Sequence, residues 1–175
     1  MKQSLEHIEI ASYLAMTFFL NRFKPTTMSE QFFSKAQQDS IVLAIQNAEL
    51  NTSGEVRVHL EPNCKIDVLE RAKQVFAELK MNETELKNGV LFYLAYADKK
   101  FAILGDSGIH EKVTDAFWNE EKELMKTYFA TGQFTEGISL AIEKAGIKLK
   151  EHFPYFSHDT NELSNDISFG GNHEA

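Results

Sequence analysis

Polar and apolar positions along this chain switch between two periods, and the order of the switches predicts a fold. From Ser34 the period is helical. Ser34-Lys35-Ala36-Gln37 has the form of a capping box, and Ile41, Val42, Ile45 and Ala48 then recur at helical spacing. That helix should stop near Asn51, with Thr52-Ser53-Gly54 as a loop. Glu55-Val56-Arg57-Val58-His59-Leu60-Glu61 alternates strictly, which marks a strand, and Pro62 and Asn63 end it. Asp67-Val68-Leu69-Glu70 again resembles a capping box, ahead of an apolar stripe of Leu69, Ala72, Val75, Phe76 and Leu79.

The segment from Asn88 to Gly108 carries the most information. It reads as an apolar strand from Val90, a polar turn at Asp98-Lys99, a second apolar strand, and a Gly105-Asp106-Ser107-Gly108 corner that opens onto a helix near Ile109. Ser107 is the expected N-cap there. One helix is predicted through Ile109, Val113, Phe117, Leu124 and Tyr128, and another through Phe134, Ile138, Ala141, Ile142, Ala145 and Leu149. A strand, a helix and a strand in that order imply a parallel pair joined by a crossover, to which the hairpin adds an antiparallel strand. The expected class is α/β, a three-layer α/β/α sandwich around a small mixed β-sheet that includes an antiparallel hairpin.

The two ends fall outside this pattern. Residues 1–27 run up to a junction at Lys24-Pro25-Thr26-Thr27-Met28. They read as an extension upstream of the domain or, alternatively, as an amphipathic helix that docks on the core. The apolar run Ile8 to Leu20 contains Glu9, is too short to span a bilayer, and has no small-residue cleavage site after it, so no membrane insertion is expected. The domain proper should occupy residues 28–154. Residues 155–175 form an acidic tail that is either solvated or folded back through Leu163 and Ile167, with a carboxylate reaching Arg57.

Composition narrows the function classes. The chain has 175 residues, 43% of them hydrophobic, enough for one sizeable core, and its net charge of −8 disfavours nucleic acid or an anionic membrane as partner. A divalent cation, or a protein partner, suits that charge better. Cys64 is the single cysteine, so neither an internal disulfide nor a cysteine-rich zinc site can form, and a reducing cytoplasm is the expected compartment. No Gly-x-Ser-x-Gly elbow, Walker loop, Gly-x-Gly-x-x-Gly fingerprint or His-Glu-x-x-His helix is present, so no catalytic residue is assigned.

Candidate chemistry concentrates on the first strand and on two corners. Glu55, Arg57, His59 and Glu61 share one face, which reads as a solvated edge strand or, less simply, as the lining of a site. One corner would gather Glu61, Asp67 and Asp98 at the carboxyl ends of the parallel strands, where open α/β sheets bind ligands. The other would gather Glu55, Asn88 and Asp106. Either could hold Ca²⁺ or Mg²⁺, which want several oxygen ligands. Each residue also has an ordinary role, with Asp67 as an N-cap, Asp98 as a turn residue and Asp106 as the centre of a sharp turn.

Thr52-Ser53-Gly54-Glu55-Val56-Arg57-Val58, Asn88-Gly89-Val90-Leu91, Gly105-Asp106-Ser107-Gly108-Ile109, Phe117-Trp118 and Gly132-Gln133-Phe134-Thr135-Glu136-Gly137 together resemble the TPM domain family, over roughly Ser34 to Pro154. The resemblance implies an α/β/α sandwich. It also brings the family's range of roles: a thylakoid-lumen member with acid phosphatase activity and calcium binding, and members proposed in membrane-protein repair or assembly. Many members carry a signal peptide and a membrane anchor. This chain is similar to a short bacterial subgroup without them, whose ending is like Phe153-Pro154, Asp159-Thr160-Asn161-Glu162-Leu163 and Asp166-Ile167-Ser168. The expected function is a cation-binding interaction module without catalysis; the alternative is a metal-assisted acid phosphatase.

Overall fold

A computed structural model describes residues 32–157 and 160–170 of the chain. The expected extension at residues 1–27, the junction at Met28 and the tail carboxylate Asp159 lie outside the described residues. Helix α1 (Lys35–Glu49) starts on the predicted capping box: Ser34 Oγ accepts from Gln37 N, and the Gln37 side chain reaches back to Ser34 N. Strand β1 (Glu55–Glu61) leads into α2 (Val68–Glu78), and a single 3₁₀ turn (Met81–Glu83) precedes β2 (Gly89–Ala95) and β3 (Lys100–Gly105).

Two helices occupy the stretch read from sequence as one, α3 (Ser107–Lys112) and α4 (Asp115–Ala130), because the backbone is extended at Val113 and Thr114. Asp106, not Ser107, is the N-cap of α3, since its carboxylate takes the Ser107 N–H. Helix α5 (Phe134–His152) follows, and then β4 (Ser168–Phe169), a strand the alternation did not predict.

The sheet has the order β3-β2-β1-β4, with β1 parallel to β2 and β4, and β3 antiparallel to β2. Alternation along the strands sends two rows to two different cores. Val56, Val58, Leu60, Val90, Phe92, Leu94 and Phe101 pack with α1, α4 and α5. Leu91, Tyr93, Ala95, Ala102 and Leu104 pack with α2. This is the expected three-layer sandwich, with α1, α4 and α5, joined by Ile109 of α3, on one side of the sheet and α2 on the other.

The remaining share of that second face is the polar row of β1, and it is not solvated. Glu55, Arg57, His59 and Glu61 are each at most 8% exposed, so they are buried like the apolar row behind them, though less completely. The reading of β1 as an edge strand with its polar side in water is therefore corrected. The tail folds back over the row instead. Leu163 packs against the α2 core and Ile167 is buried in the other. The backbone N–H of Glu162 donates to Glu55 Oε1 at 2.8 Å, and Ser168 Oγ lies 2.9 Å from His59 Nδ1. Arg57 donates to the Ser164 carbonyl and also feels the charge of the tail carboxylate Asp166.

At Gly170 the chain passes so close to the row that an added Cβ would lie 2.4 Å from Glu61 Oε2 and 3.1 Å from His59 Nε2. Only a residue without a side chain fits that crossing.

Candidate functional site

The two corners foreseen from the sequence stand at opposite ends of the sheet, and their carboxylates are in different states. At the carboxyl end of β1, Glu61 accepts from Arg71 Nε at 3.0 Å and Nη2 at 3.1 Å and from the Tyr93 hydroxyl. Burial by itself would raise this carboxyl, but the hydrogen bonds from Arg71 and Tyr93, the Arg71 charge and the His59 ring, whose Nε2 lies 3.8 Å from Oε2, hold it down to about 2. The hydrogen bond to Glu61 raises Arg71 above its ordinary value, and burial together with Glu61 raises Tyr93.

Asp98 is engaged on both oxygens. Oδ1 accepts from Asn63 Nδ2 at 2.8 Å and Oδ2 from Cys64 N at 2.6 Å, which ties the loop after β1 to the β2–β3 hairpin. Lys100 adds a bond from Nζ to the Cys64 carbonyl at 3.2 Å, and Cys64 itself is a buried free thiol. Asp67 Oδ1 accepts from Leu69 N and Glu70 N at 3.0 and 3.1 Å, which makes it the N-cap of α2. The structural roles foreseen for Asp67 and Asp98 are thus both present.

The amino end of β1 gathers carboxylates with fewer cations to answer them. Register places Glu55 opposite Gly89, and Asp106 N donates to Gly89 O at 2.9 Å, so Glu55, Gly89 and Asp106 form one row across three strands. Asn88 closes the loop below that row, its Nδ2 donating to the Ser53 carbonyl at 2.9 Å. Asp106 Oδ1 accepts from Ser107 N at 2.6 Å, while Oδ2 is buried without a hydrogen-bond partner among the described residues.

Beside Glu55, at the last turn of α1, lies a carboxylate that sequence reasoning passed over. Glu49 Oε1 accepts from Val56 N at 2.7 Å, and Oε2 accepts from Asn165 of the tail. Burial raises its carboxyl to about 7, and Glu55 adds to the rise against the opposing effect of these bonds and of Arg57. The Arg57 guanidinium faces Glu49, Glu55 and Asp166, and burial lowers its pKa. A signal for Glu49 existed: it stands four residues after Ile45, so an acidic side chain interrupts the buried stripe of α1.

The structure thus brings Glu55, Asn88 and Asp106 to one end of the sheet and Asp67 and Asp98 to the other. Among the described residues no group of three or more His, Cys, Asp or Glu side chains converges as a ready metal site. One further buried carboxyl lies apart from both corners. Glu121 of α4 is fully buried with Lys144 at 3.2 Å, and desolvation raises it to about 7. Among the described residues no helix is long and apolar enough to cross a membrane.

Comparison with known proteins agrees with this architecture. The profile of the TPM domain matches residues 26–147. The NMR structure of the BA42 protein from the psychrophilic bacterium Bizionia argentinensis is similar at 48% identity and a TM-score of 0.75, over 81% of this chain and 97% of that one. The N-terminal domain of the cg2496 protein from Corynebacterium glutamicum shares the fold at a TM-score of 0.55 and 14% identity, over 95% of this chain and 99% of that one. No curated protein matches the chain.

Proposed function

This chain belongs to the TPM domain family, and from that premise we propose that it is an interaction module that binds a divalent cation, Ca²⁺ or Mg²⁺, at the amino end of its parallel strands and performs no catalysis. The observation that carries the reading is the Asp106 carboxylate. One of its oxygens caps α3 and the other is buried without a donor, an arrangement that costs free energy unless a cation or another donor sits there. Glu55 stands in the same row of the sheet, Asn88 beside it, and Glu49 adds negative potential that Arg57 opposes. A hard cation would complete its shell at such a place with the Asn88 amide, backbone carbonyls and water.

The reading favours this end because both oxygens of Glu61 and of Asp98 at the other end already accept hydrogen bonds from within the chain, whereas Asp106 Oδ2 accepts none among the described residues. Calorimetric titration with calcium and with magnesium tests it. Saturable binding should weaken at least tenfold in Asp106→Asn and stay unchanged in Asp98→Asn. Equal affinity in both variants would defeat the assignment. Hydrolysis of an aryl phosphate that depends on the added metal and is lost in Asp106→Asn would replace the binding reading with the phosphatase alternative.

A further inference from the structure

Residues 162–170 follow β1 from Glu55 to Leu60, yet little of that segment is regular structure or buried. Only Ser168–Phe169 pair as a strand, and Glu162, Ser164, Asp166 and Phe169 are exposed. Its contacts run in order along β1. At the amino end the Glu162 N–H donates to Glu55 Oε1 at 2.8 Å, and the Asn165 side-chain amide donates to Glu49 Oε2. The Glu162 carboxylate accepts from Glu85 N at 3.2 Å, so the tail also touches the loop that leads to Asn88. Further on, Arg57 donates to the Ser164 carbonyl. At the carboxyl end Ser168 Oγ meets His59 Nδ1, and the Gly170 N–H donates to the Leu60 carbonyl at 2.9 Å. Apolar anchorage comes from Ile167, which is buried, and from Leu163, which is partly so.

We propose that this tail is a strap coupled to the cation site: when closed it competes with the cation for the same carboxylates, and cation binding loosens it. The proposal rests on the cation-binding reading of the amino end and adds its regulation. Both tail donors at that end, Glu162 N and Asn165 Nδ2, point at carboxylate oxygens. A carboxylate that accepts an N–H already has part of its charge answered, which makes it a poorer ligand for a hard cation. A cation held by the same carboxylate repels the positive end of the N–H dipole. The tail amide and the cation therefore weaken each other's hold.

The consequence reaches beyond the amino end, because the strap is one continuous extended segment. Once Glu162 is released, the bonds that remain are those of Arg57 to the Ser164 carbonyl, of Asn165 to Glu49 and of Ser168 and Gly170 to the far half of β1. Opening uncovers Arg57, His59 and Glu61, which the closed tail helps to keep from water, together with the edge of β1 that pairs with β4. A cation bound at one end of the strand would in this way control access to a polar face along its length.

Gly170 is the reporter. Its amide bonds to Leu60, about 16 Å along the strand from Glu55, so a cation at Glu55 does not touch it and any effect there travels through the tail. Amide exchange of the full chain is measured with and without saturating calcium. Calcium affinity is measured by calorimetry in the unaltered chain, Gly170→Val, Glu162→Pro and Glu162→Ala. Calcium should lower the protection of the Gly170 amide by about fivefold or more, with the α5 amides unchanged. Reciprocity requires a matching gain in affinity, so Gly170→Val, which lifts the tail without altering a proposed ligand, should bind calcium tighter by about the same factor. Glu162→Pro, which removes the N–H, should bind tighter than Glu162→Ala, which keeps it; that comparison cancels the loss of the Glu162 charge. Saturable binding that Asp106→Asn weakens, with Gly170 protection and Gly170→Val affinity both unchanged, would overturn the coupling and leave the cation site standing. Protection that rises with calcium would overturn it as well, because the strap would then close on the ion. Absence of saturable binding in all four chains would overturn the site itself and the coupling with it.

Discussion

The two ends of strand β1 carry similar residues and differ in what answers them. At the carboxyl end, Glu61 is met by Arg71, Tyr93 and His59, and its carboxyl is held down to about 2. At the amino end, Glu49 and Glu55 stand side by side over Arg57, and the Glu49 carboxyl is pushed up to about 7. Glu55 and Glu61 are buried and Glu49 is half-buried. Burial alone therefore does not set the state of a carboxylate; the donors gathered around it do. One end of the sheet is a closed ion-pair network that holds the fold together. The other crowds two carboxyls against one guanidinium, so that ionising both is disfavoured and an added cation would be favoured.

Breaking the closed end should have the largest effect. Arg71→Met removes both guanidinium bonds to Glu61 and leaves that carboxylate buried beside a tyrosine and a histidine, a change that costs about 3–5 kcal/mol in urea denaturation. A loss below 1 kcal/mol would mean that the network is not structural. Gly170→Val comes next. Its side chain would run into Glu61 and His59, so the tail strand should lift at a cost of about 1–3 kcal/mol. Faster amide exchange at Ser168 to Gly170, with the α1 amides unchanged, would show that the loss is local.

The pH dependence distinguishes the two ends by sign. Glu49 and Glu121 titrate at about 7 in the fold against an ordinary value of 4.5, so the unfolded chain ionises first as the pH rises. Their favourable contribution is complete below about pH 4.5 and is lost between 4.5 and 7. Glu61 acts the other way, because its contribution is present above about 4.5 and is lost as the pH falls toward 2. Denaturation at a series of pH values should show stability falling from pH 4.5 to 7, and Glu49→Gln should flatten part of that fall. An unchanged slope in Glu49→Gln would contradict the assignment. The smallest effect is expected at Asp67→Ala, which removes the α2 cap for about 1 kcal/mol and leaves cation affinity untouched.

Most of this architecture could be read from periodicity, because helix spacing, strand alternation and the two caps at Ser34 and Asp67 are local properties. The misreadings have one physical origin. The alternation of β1 signals one buried and one solvated face only when nothing long-range covers the polar face. Here residues 162–170 return from more than 100 positions away to bond Glu55, Arg57 and His59 one after another. Leu163 and Ile167, four apart in a polar tail, were the visible trace of that return.

The candidate site was legible in part. Glu55, Asn88 and Asp106 do share an end of the sheet, because strand register follows from the hairpin and the crossover. Arg71 carries no motif and Glu49 only the trace of an acidic residue on the buried stripe of α1, and their partners emerge when helices α1 and α2 are laid on the sheet. The break between α3 and α4 escaped for a similar reason: apolar residues continue at helical spacing through Val113 and Phe117, although the backbone is extended at Val113 and Thr114.

Amide chemical shifts recorded during a calcium and magnesium titration of the full chain test the central claim most directly, because both ends of β1 report in one spectrum. The account predicts saturable shifts at Glu55, Asn88 and Gly105 to Ser107, with Asp67 and Asp98 unmoved. Shifts confined to Asp67 and Asp98, or flat titrations to millimolar metal, would contradict it.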